Sequence, residues 1–294
     1  MDIQRDFILG DNWFYFKLYT GVKTADTLLV EVIDPFASDL MNEGFIEKWF
    51  FIRYSDPDFH LRIRFELKDK LKLSEIIFRL NAILYPYIEN RMISKFQAET
   101  YSRELERYGS KTIDETESIF FFDTQATILL LNQIEGDEGE TYRWHYACLA
   151  VDFFLNDFGF SEDEKLQLLD RLQYNFGQEF GMNAQLKVQL DEKFRKERPQ
   201  MRSFLLRESD IYEPFYQILK QKYINTKDII ERIKAIKLKN ELEVEFNDYI
   251  ISHIHLMLNR IFKSKQRLNE MVIYSLLYRF YKSEIARKNK NATV

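Results

Sequence analysis

A chain of 294 residues, 46% of them hydrophobic, can bury one large core or two modest ones, so length leaves the domain count open. The 26 Phe and 17 Tyr against only 9 Gly and 5 Pro exclude a disordered or low-complexity chain. The net charge of −5 comes from 42 basic and 47 acidic residues mixed along the chain, which gives no footprint for binding a nucleic-acid backbone.

The opening stretch MDIQRDFILGDNWFYFKLY has no basic region leading into an apolar one. No segment approaches about 18 uninterrupted apolar residues, so a cytoplasmic protein without a membrane partner is expected. Short aromatic and β-branched runs predict strands at Trp13 to Tyr19, Glu47 to Tyr54, His60 to Leu67 and Lys95 to Glu104. Asp56-Pro57-Asp58 reads as a tight turn between the second and third of these. Apolar residues at helical spacing predict helices over Thr24 to Asn42 and Leu73 to Asn90, packed on the sheet.

From Ile113 onward the pattern becomes helical, in runs near 113–134, 140–157, 162–177, 184–222, 226–238, 240–263 and 266–285. Pro199 is expected to break or kink the run that contains it. The fold expected is α+β: an antiparallel sheet with packed helices over 1–110, completed by a mainly helical part over 111–294. With no Pro- or Gly-rich linker, 1–294 reads as one domain.

In His60-Leu61-Arg62-Ile63-Arg64-Phe65-Glu66-Leu67 apolar and polar residues alternate without a break. Leu61, Ile63, Phe65 and Leu67 should face a core, with His60, Arg62, Arg64 and Glu66 on the opposite face. Residues two apart on a strand are roughly 6.5–7 Å apart, so two guanidiniums could converge on one carboxylate; a solvated sheet face is the plainer reading of the segment alone. Tyr101 to Gly109 holds Glu104 and Arg107, which could pair at a turn. His253 and His255 point to nearly opposite sides of one helix and do not chelate one ion together, whereas His255 and Asn259 share a face. His145 reads as a packed structural histidine and Cys148 as a buried small hydrophobe, the single Cys ruling out an intrachain disulfide. Nucleotide-loop, zincin, hydrolase-elbow and CxxC motifs are missing from the sequence, which leaves Arg, His, Glu and Tyr to carry any chemistry.

Together these segments resemble the thiopeptide-type bacteriocin biosynthesis domain family, which includes the C-terminal elimination domain of class I lanthipeptide dehydratases. The resemblance rests on Trp13 to Tyr19, Trp49 to Tyr54 with Asp56-Pro57, His60 to Phe65, Tyr101, Glu104, Arg107-Tyr108-Gly109, Glu117 to Thr124, and His255 with Asn259-Arg260. Ser110, Thr124 and Leu256 depart from the residues common there, and none of these removes a charged group.

The resemblance implies loss of glutamate from glutamyl-Ser or glutamyl-Thr esters of a ribosomal precursor peptide, leaving dehydroalanine or dehydrobutyrine. It implies Arg62, Arg64, Arg107 and His255 as catalytic residues, and His60, Tyr101, Glu104, Tyr108, Asn259 and Arg260 as substrate-binding ones. No metal and no organic cofactor is implied. The expected partners are the precursor peptide and a separate glutamyl-tRNA-dependent glutamylation subunit, with homo-oligomerisation left open. Two other readings remain: a pyridine synthase joining two dehydroalanines by cycloaddition, and an inactive scaffold that takes up a peptide by strand addition.

Overall fold

The computed structural model describes residues 3–134 and 138–292. Two compact units divide the chain: 1–135 together with 225–264, and 136–224 together with 265–294. The expected change at about residue 110 from sheet to helix is a change of secondary structure and not the boundary of these units.

The first unit contains β1 (Asp6–Phe7), β2 (Trp13–Thr20), α1 (Val22–Leu28), a π-helical turn (Leu29–Ile33), α2 (Asp34–Asn42), β3 (Ile46–Ser55), β4 (Phe59–Leu67), α3 (Leu73–Glu89), β5 (Ile93–Glu99), β6 (Tyr101–Ser102), α4 (Leu105–Tyr108) and α5 (Ile113–Leu131). Four strands form an antiparallel sheet in the order β3-β4-β2-β5, and β1 pairs with β6. The α+β expectation holds.

Alternation places the core on one side of this sheet. Phe14, Phe16 and Leu18 of β2 and Leu61, Ile63 and Phe65 of β4 pack against apolar residues of α1, α2 and α3, such as Leu28, Leu40 and Leu80. Gly44, at φ +74°, ends α2: the Gly44 N–H donates to the Met41 carbonyl and the Phe45 N–H to the Leu40 carbonyl. A side chain would strain that left-handed position, and the turn it makes sends Phe45 and Ile46 back into the core.

The second unit is helical, with α6 (Glu138–Asp157), α7 (Glu162–Glu179), α8 (Ala184–Leu205) and α11 (Gln266–Ala292). Ser161 and Glu164 form a reciprocal capping box at the start of α7, and α11 packs along α7, α8 and α6. Lys165 is buried there by satisfying its ammonium on Asp152 Oδ1 at 2.6 Å, Asn156 Oδ1 at 2.7 Å and Tyr281 Oη at 3.1 Å. α9 (Glu213–Leu238) continues from the second unit into the first, which α10 (Phe246–Ile261) completes.

Several expected boundaries move. The run expected over 184–222 divides into α8, a 3-10 turn (Asp210–Tyr212) and α9, and α9 passes unbroken through the gap expected after 222. Pro199 does not end α8, because one missing amide bond is outweighed by the burial of Met201 and Phe204 in the following turn. The helix expected from 240 starts at Phe246: Asn240, at φ +54°, closes α9, and the Glu245 side chain caps α10 by accepting from the Asp248 N–H. The strand expected over Lys95 to Glu104 divides into β5 and β6, since the chain changes partner from β2 to β1. Among the described residues no helix is long and apolar enough to cross a membrane.

Candidate active site

The face of the sheet opposite the core carries His60, Arg62 and Arg64 on β4. Tyr19, Lys17 and Tyr15 of β2 lie directly across from them, in that order. On the other side Tyr54, Ile52 and Phe50 of β3 do the same. Register therefore decides the surroundings of each cation.

Arg64 is enclosed. Its guanidinium carbon lies 4.3 Å from the Tyr15 ring centroid, 4.9 Å from Tyr101 and 5.3 Å from Phe50. The residue is 7% exposed, yet among the described residues its Nε and Nη1 have no hydrogen-bond partner and no carboxylate pairs with it. Burial pushes this guanidinium below its ordinary pKa.

Tyr101 is held from behind. Its hydroxyl donates to Glu117 Oε1 at 2.8 Å, and Arg103 grips the same carboxylate through Nε at 2.9 Å and Nη2 at 2.6 Å. Arg103 also pairs with Asp114 at 2.7 Å. Burial raises the Glu117 carboxyl, and the bonds from Arg103 oppose that rise.

Arg64 and Tyr101 line a cavity of about 30 Å³ together with Phe50, Glu104, Tyr108 and Leu256. That is room for a water or two between the walls. Phe120 also borders the cavity and carries the Arg260 guanidinium 4.8 Å from its ring centroid. Arg260 is fully buried, with Nη1 3.7 Å from Asp123 Oδ2, and among the described residues no acceptor takes a hydrogen bond from Nε, Nη1 or Nη2. Burial pushes its pKa down to about 10.

The remaining expected residues separate into different roles. Arg62 donates through Nε to His60 Nε2 at 3.1 Å and lies 3.6 Å over the Tyr54 ring. Arg107 pairs with Glu104 at 2.9 Å, each side chain 55% exposed, and does not line the cavity. His255 is partly exposed on α10, beside the cavity-lining Leu256. Tyr108 donates its hydroxyl to the Ser252 carbonyl at 3.2 Å.

Asn259 lies against a strand edge. Its Oδ1 accepts from the Arg53 N–H and its Nδ2 donates to the Arg53 carbonyl, both at 2.8 Å. The Arg53 Nε donates to the Arg260 carbonyl at 3.0 Å, and its Nη2 meets Asp26 at 2.6 Å. Thus the structure gathers Arg64, Tyr101, Glu104 and Tyr108 around one cavity, with Arg260 sharing its Phe120 wall. Arg62 lies outside that cavity on the same strand face, and Arg107 adjoins it through its pair with the cavity-lining Glu104.

Tyr15, Phe50, Arg53, Arg103, Glu117 and Asp123 were not among the expected site residues. All but Arg103 lie in segments that carry the resemblance, but their parts depend on cross-strand register and helix placement. Among the described residues no group of three His, Cys, Asp or Glu is arranged to hold a metal.

Comparison with known proteins agrees with this architecture. The nisin biosynthesis protein NisB of Lactococcus lactis subsp. lactis is 26% identical over 282 residues, covering 96% of this chain and 26% of its own. The chain spans about a quarter of the length of the curated relatives it matches. Among solved structures, the tRNA-dependent lantibiotic dehydratase MibB of Microbispora sp. 107891 superposes with a TM-score of 0.73 at 19% identity, over 95% of this chain and 29% of MibB. The pyridine synthase TbtD from thiomuracin biosynthesis superposes with a TM-score of 0.62 at 12% identity, over 93% of this chain and 98% of TbtD. The model of the family described as the lantibiotic biosynthesis dehydratase C-terminal region matches residues 13–281, and the chain belongs to that family.

Proposed function

We propose that this chain removes glutamate from glutamylated Ser or Thr of a ribosomal precursor peptide, giving dehydroalanine or dehydrobutyrine. One observation carries the reading most: Arg64 and Arg62 are neighbours on one strand face, and neither has a carboxylate partner among the described residues. A guanidinium kept dry without a counter-charge is destabilising unless an anion arrives to pair with it.

In the reaction the Cα–H bond of the glutamylated residue breaks, the Cα–Cβ double bond forms, and the Cβ–O bond to the ester breaks. Glutamate leaves as a carboxylate and the α-proton passes to a base. Negative charge grows first on the enolate and then on the leaving group, and arginine donors placed on either one lower the barrier. Arg64, behind its aromatic walls, suits the carboxylates of the departing glutamate, with Arg62 the next donor along the strand. Arg107 reaches the same ligand by exchanging Glu104 for it. His255 supplies an imidazole for proton transfer to or from the reacting centre. Asn259, Arg260, Tyr101 and Tyr108 hold the frame in which these groups act.

The proposed setting is cytoplasmic, with the ester supplied by a separate glutamyl-tRNA-dependent subunit. The test is mass spectrometry of a glutamylated Ser/Thr peptide incubated with the purified chain, beside Arg64→Ala and His255→Ala. Loss of glutamic acid that disappears in the variants supports elimination. An untouched ester in a demonstrated peptide complex defeats it in favour of a scaffold.

A second reading, cycloaddition between two dehydroalanines, is favoured by one observation: the fold covers 98% of the pyridine synthase TbtD. Turnover of a bis-dehydroalanine peptide, with none of the glutamyl ester, would establish it. The carboxylate-free arginine pair favours elimination, because cycloaddition has less need of a glutamate-binding cation.

A further inference from the structure

His60 and Arg62 share one hydrogen bond whose direction is fixed by chemistry. The Arg62 Nε carries a hydrogen at every physiological pH and can only donate. At 3.1 Å, His60 Nε2 must therefore present its lone pair, and the ring proton lies on Nδ1, where it donates to the Asp58 carbonyl at 2.9 Å. The ring sits between Tyr19 of β2, at 4.7 Å, and Tyr54 of β3, at 5.8 Å, and has no measurable exposure. Tyr54 in turn supports the Arg62 guanidinium at 3.6 Å.

We propose that His60 is a positioning residue: its neutral, Nδ1-protonated imidazole holds the Arg62 Nε so that the two Nη atoms of that arginine face an anionic ligand. The inference rests on the elimination reading for the identity of that anion, the carboxylates of a glutamyl ester. Protonation of Nε2 would remove the acceptor and set two cations face to face, releasing Arg62.

The groups around the ring favour the neutral form on balance. Asp56 in the β3–β4 turn and the Asp58 carbonyl pull toward protonation, while Arg62 on the same strand and Lys17 on β2 oppose it. Lys17 is itself tied to Glu99 of β5 at 2.9 Å. Burial is the largest influence and holds the imidazole neutral to lower pH than usual. Arg62 should thus stay clamped through neutrality and loosen on acidification.

The experiment has two arms on the full chain. In the first, ¹⁵N-resolved NMR of the histidines should show His60 with a bare Nε2 and a protonated Nδ1 at neutral pH. In the second, KM and kcat for a glutamylated peptide are followed against pH in the wild type, His60→Phe and His60→Gln. Phe keeps the ring between the tyrosines and lacks the acceptor, so KM should rise about tenfold with a smaller change in kcat. Gln offers a non-titrating acceptor, so it should recover most of that loss and flatten the acid-side rise in KM.

An Nε2-protonated ring at neutral pH overturns the proposal, as does an unchanged KM in His60→Phe. If the NMR signature is present but no ester is eliminated, the functional reading fails and the clamp stands. If elimination proceeds without the signature, the clamp fails and the functional reading stands.

Discussion

The side-chain amide of Asn259 satisfies both backbone polar groups of Arg53, accepting from its N–H and donating to its carbonyl at 2.8 Å each. A helix residue thereby does what a neighbouring strand would do at the edge of β3. The next residue, Arg260, returns its carbonyl to the Arg53 side chain, so two consecutive residues of α10 are fastened to one residue of the sheet.

Asn259→Ala should leave two buried backbone groups of Arg53 without their partner. The expected loss is roughly 1–3 kcal/mol in chemical denaturation, with a fall in elimination activity because His255 lies one turn earlier on the same helix. Wild-type stability together with wild-type activity in this variant would show that the clamp matters to neither.

Arg64→Met separates function from stability. Replacing a buried cation that has no carboxylate partner by an apolar side chain of similar length should leave the fold as stable as before, or more stable by up to about 1 kcal/mol. Elimination should vanish. A variant that unfolds readily would mean Arg64 is a structural residue instead of a ligand-binding one.

Glu117 belongs to the opposite class, a buried carboxylate that is fully bonded. Glu117→Ala strands Arg103 and Tyr101 and should cost about 3 kcal/mol, tempered by the remaining Arg103–Asp114 pair. Tyr101→Phe removes a single hydroxyl bond while keeping the ring against Arg64, so about 1 kcal/mol is expected. Urea midpoints of the two variants should differ in that order.

Two histidines make stability depend on pH. Burial is the main cause that holds both His60 and His145 below the ordinary 6.5. In the window just below 6.5 the unfolded chain binds protons that the folded chain refuses. Their contribution is complete above 6.5 and is lost as pH falls through the folded-state values. Urea midpoints should therefore drop on acidification, and His60→Gln and His145→Gln should each flatten the slope. A slope untouched by both substitutions would assign it to other groups.

How much of this could be read beforehand differs from element to element. The facing of β4 was legible, because strict alternation over His60 to Leu67 has only one solution when one face must be buried. Its polar face, read most plainly as solvated, in fact buries His60 and Arg64. The start of α10 was less legible: the expected end of the preceding helix at 238 agrees with the structure, but Leu242 and Val244 extend the apolar run back past Glu245, whose side chain caps α10. Pro199 misled for the reverse reason, a local penalty outweighed by packing.

By itself the sequence determined the α+β class, the face that carries His60, Arg62 and Arg64, and the resemblance that the family match bears out. These follow from local periodicity and from the order of motifs, and both lie along the chain. Only the tertiary structure decided that Arg64 is boxed by Tyr15, Phe50 and Tyr101, that Arg62 is tethered to His60, and that Arg107 pairs with Glu104 at a more exposed position. The Arg64 enclosure comes from cross-strand register, which brings Tyr15, Phe50 and Tyr101 from distant parts of the chain onto one guanidinium, whereas the Arg62 and Arg107 pairs are local in sequence and only their geometry and solvation were left to the fold.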